Sequence, residues 1–106
     1  MNSIQAKYCI GQVVIDPQFR FRGVVVDVDH KYMGSEEWYV KNAPHQPSKN
    51  EPWYHILVHN SDVRIYVAES TLEPDLSGEP VAHPEIDYFF VEFKNGVYML
   101  RRGYDV

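Results

Sequence analysis

The chain has 106 residues, a formal net charge of −5 at pH 7 and a single cysteine, Cys9. This length predicts one domain over residues 1–106, large enough to form a modest core without metals. A lone cysteine excludes an internal disulfide framework and fits a reducing compartment. The sequence shows neither a secretory signal nor an apolar run of the roughly twenty residues that a membrane span requires. We therefore expect a cytoplasmic protein that does not bind membranes.

The first seventy residues predict two β-hairpins. Residues 10–14 and 21–29 are β-rich runs joined by a turn at 16–19, and residues 52–59 and 64–70 form a second pair of the same kind. Four antiparallel strands of this length predict a mainly β protein, built as a small barrel or roll.

Alternation along the second strand separates its two faces. Val24, Val26 and Val28 share one face, which we predict to be core, and Val25, Asp27 and Asp29 share the other.

In the third strand, Tyr54, Ile56 and Val58 form the matching apolar set. The opposite face carries Trp53, His55, Leu57 and His59. This face is too apolar to be left in water, so either another part of the chain covers it or it forms an interface with a partner.

Residues 33–51 show no sustained period and contain Gly34, Pro44 and Pro47, which predicts a long loop without regular structure. Trp38 and Tyr39 lie near its middle. Two alternatives follow: the aromatic pair packs on the protein's own sheet, or it is offered to a protein or a nucleic-acid base.

The C-terminal third changes character. Ile86, Phe89, Phe90 and Phe93 are spaced at i, i+3, i+4 and i+7, which predicts one short amphipathic helix beginning near Pro84. Asn95-Gly96 then either ends the helix or turns the chain into a last strand over 97–102. We expect the phenylalanine stripe to close the open end of the barrel, and the alternative is a self-association surface.

Five blocks of sequence resemble one known family. They are residues 7–14 (KYCIGQVV), 21–29 (FRGVVVDVD), 52–55 (PWYH), 66–69 (YVAE) and 77–84 (SGEPVAHP). In this order they are similar to the HspQ family of bacterial heat-shock proteins, also called the YccV-like or hemimethylated-DNA-binding family. The resemblance implies one YccV-like domain with an SH3-like antiparallel β-barrel, binding of hemimethylated DNA, an influence on the stability of a replication initiator, a role with the Lon protease, and a homo-oligomer, namely a trimer.

The residues point to no catalytic chemistry. Asp27, Asp29 and His30 are close in sequence but lack the spacing of known metal sites, so we predict no metal and no cofactor. Cys9 has no evident histidine partner, and there is neither a Gly-x-Ser-x-Gly elbow nor a glycine-rich phosphate loop. We expect a binding protein, not an enzyme.

Two binding hypotheses remain. In the first, the chain binds hemimethylated DNA through Arg20, Arg22 and Lys31, which belong to the mildly basic segment 1–31. The alternative for the two arginines is a solvated hairpin flank balanced by Asp27 and Asp29.

In the second hypothesis, the chain is a protein-binding stress factor that serves as substrate and specificity-enhancing adaptor of the Lon protease and contacts its substrates. The interface residues would be Trp38, Tyr39, Trp53, His55, Leu57 and His59, together with the tail 101–106. The acidic net charge fits this class more easily than it fits DNA binding.

Overall fold

A computed structural model describes residues 5–101 as mainly antiparallel β structure. One sheet has the strand order β4-β3-β2-β1-β5, where β1 is Val13–Asp16, β2 Phe21–Asp29, β3 Trp53–Val58, β4 Arg64–Ala68 and β5 Glu73–Pro74. A separate hairpin pairs β6, Phe90–Lys94, with β7, Val97–Leu100. Two short helices, α1 at Glu36–Asn42 and α2 at Ile86–Phe89, and a single 3-10 turn at Glu69–Thr71 complete the described elements. Within residues 5–101, neither helix has the length and apolar character needed to cross a membrane.

Both predicted hairpins are confirmed, β1 with β2 and β3 with β4. Asp16 fixes the first turn because its Oδ1 accepts hydrogen bonds from the amides of Gln18 (2.9 Å) and Phe19 (3.0 Å). These hydrogen bonds compensate the burial of the Asp16 carboxylate, which is only 2% exposed. Aspartate is favoured in turns for this reason.

A β-bulge in β2 corrects the predicted faces. The pairing with β3 moves from Val25↔Ile56 to Asp27↔His55, so Val26 is an extra residue on its strand. Beyond the bulge the alternation is reversed, and Val28 joins Val25 in the cluster around Ile56. The prediction that Val28 shares a face with Val24 and Val26 was therefore wrong. The prediction that Tyr54 and Ile56 form the set matching Val24 and Val26 was also wrong, because Val24 and Val26 cluster with Leu57 on the other face.

Both faces of the five-stranded sheet are buried. One face carries the cluster Tyr8, Val14, Val25, Tyr54, Ile56 and Leu72. The other carries Val13, Val24, Val26, Leu57, Val81, Phe89, Phe90 and Tyr98. The second cluster joins the sheet to the C-terminal segment. At Leu57 the first of the two alternatives for this face is observed, because another part of the chain covers it.

The C-terminal helix is shorter than predicted. α2 ends at Phe89, and the chain continues as strand β6, so Phe93 lies in a strand and not on a helix. Asn95 (φ 55°) and Gly96 (φ 80°) both have left-handed backbone, which is the requirement of a tight hairpin turn. Phe89 and Phe90 are buried against the sheet.

The segment 33–51 contains a helix that the sequence analysis missed. Ser35 caps α1, because its Oγ accepts a hydrogen bond from the amide of Trp38 (3.1 Å). Glu36 and Glu37 follow in the first turn, where carboxylates favour the helix dipole. Tyr39 is buried on the sheet, so packing against the protein's own strands, the first alternative for this residue, is confirmed.

Candidate functional site

A groove of about 840 Å³ runs along the outer strand β4. All five residues of β4 line it, and so do residues 42–45 at the end of α1 and beyond, and Phe19 from the β1–β2 turn. The two segments outside the sheet touch each other, since Gln18 Nε2 lies 3.0 Å from His45 Nε2. A groove of this size accommodates an extended ligand.

Aromatic rings form one side of the groove. Trp38 and Tyr66 line it with ring centroids 5.7 Å apart, and Tyr66 also lies 4.4 Å from the ring of His55. Trp53 lies beneath, only 1% exposed, with its Nε1 donating to the carbonyl of Ser48 (3.0 Å). Of these four rings, Trp38, Tyr66 and His55 are therefore the ones that a ligand can reach.

A polar network adjoins these rings. Tyr66 donates its hydroxyl proton to Asp29 Oδ2 (2.7 Å), and His55 Nε2 lies 3.4 Å from the same oxygen. Burial and, second, the bond to Asp29 raise the pKa of Tyr66 well above its usual value. The phenol therefore stays protonated and holds Asp29 in place at neutral pH.

The strand register brings together a cluster that the linear sequence does not show. Asp27, Asp29 and His55 place their potential ligand atoms within 4.8 Å of one another. The sequence analysis grouped the two aspartates with His30, whereas the pairing of Asp27 with His55 on β3 supplies the histidine. One Asp29 oxygen is already hydrogen-bonded to Tyr66, which fits a structural network. That the protein binds no metal stays a prediction.

Arg22, one of the predicted DNA contacts, is occupied inside the protein. Its Nη2 lies 2.8 Å from Asp75 Oδ2 and 2.6 Å from the carbonyl oxygen of Glu79, and its Nη1 donates to the carbonyl of Pro80 (3.1 Å). Burial opposes ionisation of Asp75, but hydrogen bonds from Arg22 and Ser77 outweigh it and hold the pKa of Asp75 below its usual value. The alternative that Asp27 and Asp29 balance Arg22 was wrong.

Arg20 and Lys31 are exposed, and each lies close in sequence to residues that line the groove, although neither lines it. In sequence, Arg20 follows Phe19, and Lys31 lies between Asp29 and Met33. The groove is lined by Phe19, Asp29 and Met33. Phe19 and Met33 are 60% and 65% exposed. The rim therefore carries cations next to accessible apolar side chains.

Comparison with known protein families identifies a family model that matches most of the chain. The family model described as "Hemimethylated DNA-binding protein YccV like" covers residues 6–97. The chain belongs to the YccV-like family. The match includes every groove residue named above, so the groove is part of the YccV-like region.

The predicted protein-interface residues have different roles in the structure. Trp53 and Leu57, 1% and 0% exposed, are core residues and cannot contact a partner, so their assignment to an interface was wrong. His59 holds the C-terminal segment, since its Nδ1 accepts from the amide of Ala82 (2.8 Å). Tyr39 donates to the carbonyl of Pro47 (2.6 Å), while residues 102–106 of the predicted tail interface lie outside the described part.

The sequence analysis missed Phe19, Met33, Arg64 and Tyr66 as groove residues. A signal existed for Phe19, because a large aromatic residue inside a polar turn is unusual. For Arg64 and Tyr66 the signal would have been the position of β4 at the edge of the sheet, which depends on strand order.

Proposed function

We propose that this chain binds hemimethylated DNA without catalytic chemistry and works in the cytoplasm. The observation that carries the proposal is the match of the YccV-like family model over residues 6–97. The aromatic groove supports it, because half-buried rings such as Trp38 offer faces on which bases stack. The role in replication-initiator stability that the resemblance implies would follow from such binding.

Phosphate contacts would come from Arg20 and Lys31, with Arg22 left to its structural role. Each neutralised phosphate contributes about one unit to the slope of log affinity against log salt concentration. The small number of free cations at the rim predicts a shallow slope, and this agrees with a chain whose net charge is −5.

The experiment is a fluorescence anisotropy titration with three duplexes of one sequence: unmethylated, hemimethylated and fully methylated. We expect the hemimethylated duplex to bind most tightly. The double variant Arg20→Gln and Lys31→Gln should flatten the salt slope by about two. Lys94→Gln, an exposed cation on the separate β6–β7 hairpin, is the matched control and should leave the slope unchanged.

Equal affinity for the three duplexes would show that methylation is not read. Absence of binding at low salt would remove DNA as the ligand. An unchanged slope in the double variant would move the interface away from the groove rim.

A second candidate function is supported by exposed apolar side chains. Phe19, Met33 and Leu76 are 60%, 65% and 90% exposed, which suits contacts with proteins better than contacts with phosphates. In this alternative the chain acts as a stress factor that is both substrate and adaptor of the Lon protease. Purified protease with ATP should then degrade the chain and degrade a model substrate faster when the chain is present. Unchanged rates would exclude this alternative.

A further inference from the structure

The strand β4 is the edge of the five-stranded sheet and pairs only with β3 among the described strands. At the ends of this pairing, Val58 donates its amide proton to Val63 (3.0 Å) and Glu69 donates to Pro52 (2.9 Å). Antiparallel bonding alternates from residue to residue. The backbone groups of Ile65 and Val67 therefore face β3, and those of the residues between them face away.

The outward groups belong to Arg64, Tyr66 and Ala68, and these residues line the groove. The carbonyl of Ala68 accepts a hydrogen bond from Thr71 Oγ1 (2.8 Å). Among residues 5–101, no group accepts a hydrogen bond from the outward amides of these three residues. No group in this range donates one to the carbonyls of Arg64 and Tyr66. They form a row of donors and acceptors with the spacing of an extended backbone.

Apart from the charged Arg64 at its start, the sequence of β4 does not protect this edge. Natural edge strands are usually blocked by lysine, proline, a bulge or an inward-pointing charge. The stretch Ile65 to Ala68 has none of these, and Ile65 and Val67 are only half-buried. Phe19 and Trp38 line the same groove, so apolar contacts are available on both sides of the edge.

We propose that the groove binds an extended peptide segment of a partner protein, which adds to the sheet as a further strand beside β4. The free backbone groups select an extended polypeptide, because nothing in a nucleic acid matches alternating amide donors and carbonyl acceptors. Side chains of the segment point alternately toward the Val67 side and the Tyr66 side, so apolar residues at alternate positions are favoured. Arg64 is exposed at one end of β4 and has no carboxylate partner within residues 5–101. An acidic residue in the segment would therefore form an ion pair with it.

This binding uses the groove that the DNA proposal also uses, but a different feature of it, the backbone edge of β4, and it gives the protein-binding alternative a site. The probe is a fluorescein-labelled peptide, Asp-Val-Thr-Val-Ser-Val-Asp, whose acidic residue at each end allows either strand direction. Binding is followed by anisotropy with the full chain and without DNA, so a negative result leaves the DNA proposal standing.

The deciding comparison uses two versions of this peptide, each N-methylated at alternate backbone amides. The methylated positions of one version are shifted by one residue relative to those of the other. A strand added to β4 presents alternate amides to the edge. One version should therefore lose binding by about tenfold or more, and the other should stay within about threefold of the parent, since each lost bond leaves a carbonyl unpaired. Equal effects of the two versions, or no binding of the parent peptide, would overturn the proposal.

Variants of the protein give a second measurement. Arg64→Pro removes an outward amide and leaves the pairing with β3 intact, whereas Arg64→Gln removes only the charge. We expect Arg64→Pro to weaken binding more than Arg64→Gln. Light scattering tests the alternative occupant. If it shows that the chain is an oligomer and that Arg64→Pro converts it to monomers, the occupant is a second copy of the chain and the partner peptide is excluded.

Discussion

At the scale of single residues, Gly11 joins the two sheets. Its amide donates to the carbonyl of Val25 (2.8 Å) and its carbonyl accepts from the amide of Tyr98 (2.9 Å). Its φ of 94° lies in the left-handed region, and a Cβ here would overlap the backbone oxygen of Tyr98. Both the backbone angle and the close approach therefore require glycine.

We predict that Gly11→Ala lowers the free energy of unfolding by about 2 kcal/mol or more, from left-handed strain plus overlap. Gly78→Ala is the matched control, because Gly78 also has a positive φ of 74° but a Cβ there would meet nothing within 4 Å. It should cost about 1 kcal/mol. Urea titrations of the two variants measure the difference, and equal losses would show that the contact with Tyr98 has no energetic effect.

The pair Arg22–Asp75 predicts a pH dependence. Because the pKa of Asp75 is lower in the folded protein than its usual value of 3.8, its contribution to stability is present above that value and is lost as the pH falls through the folded pKa. Asp75→Asn should cost about 1 to 2 kcal/mol at pH 7, and the difference from wild type should shrink in acid. The exposed Asp62→Asn is the control and should differ little at any pH. A difference between wild type and Asp75→Asn that does not change with pH would contradict this assignment.

At the scale of elements, α1 depends on its cap and on its packing. The helix has seven residues, too few to be stable alone, so the Ser35 cap and the buried Tyr39 must both support it. Its C-terminal end and the segment after it line the groove. Loss of the helix would therefore alter the groove as well as the local fold.

We predict that Ser35→Ala destabilises α1 by about 1 kcal/mol, because the amide of Trp38 loses its acceptor. Ser35→Asp keeps an acceptor and adds a favourable charge, so it should retain the wild-type value. Hydrogen exchange of the amides in 38–42 reports the effect locally. Equal exchange rates in Ser35→Ala and Ser35→Asp would show that the cap does not limit opening of the helix.

At the scale of the whole molecule, the sheet is stabilised from both sides. Ile56 and Leu57 are neighbours in β3, point to opposite faces and are both 0% exposed. The C-terminal segment covers one of these faces through Phe89 and Phe90. Neither face of β3 is therefore available at these two positions as an interface.

Ile56→Ala and Leu57→Ala should each lower the free energy of unfolding by about 2 to 5 kcal/mol, since each leaves a cavity in a packed cluster. Leu76→Ala, at a site that is 90% exposed, is the matched control and should cost less than about 0.5 kcal/mol. Urea titration gives all three values. A small loss at Leu57 would mean that the C-terminal segment does not pack on the sheet in solution.

Features that depend on neighbouring residues could be predicted from the sequence alone. Apolar runs separated by short polar turns predicted both large hairpins, Asn-Gly predicted the turn into the last strand, and the ordered blocks identified the family. The helix α1 was also within reach, because Ser35 followed by two glutamates is a local start signal. These features have local causes, so the linear sequence carries the signal for each of them, including the α1 signal that was overlooked.

Only the tertiary structure decided which distant groups meet. The bulge at Val26 reversed the alternation of β2, and a partner fifty-three residues away fixed Arg22 in place. The groove exists because β4 lies at the edge of the sheet while the turn at Phe19 and the segment after α1 lie beside it. Strand order and long-range packing set these contacts, and they depend on the energy of the whole assembly and not on the residues next in sequence.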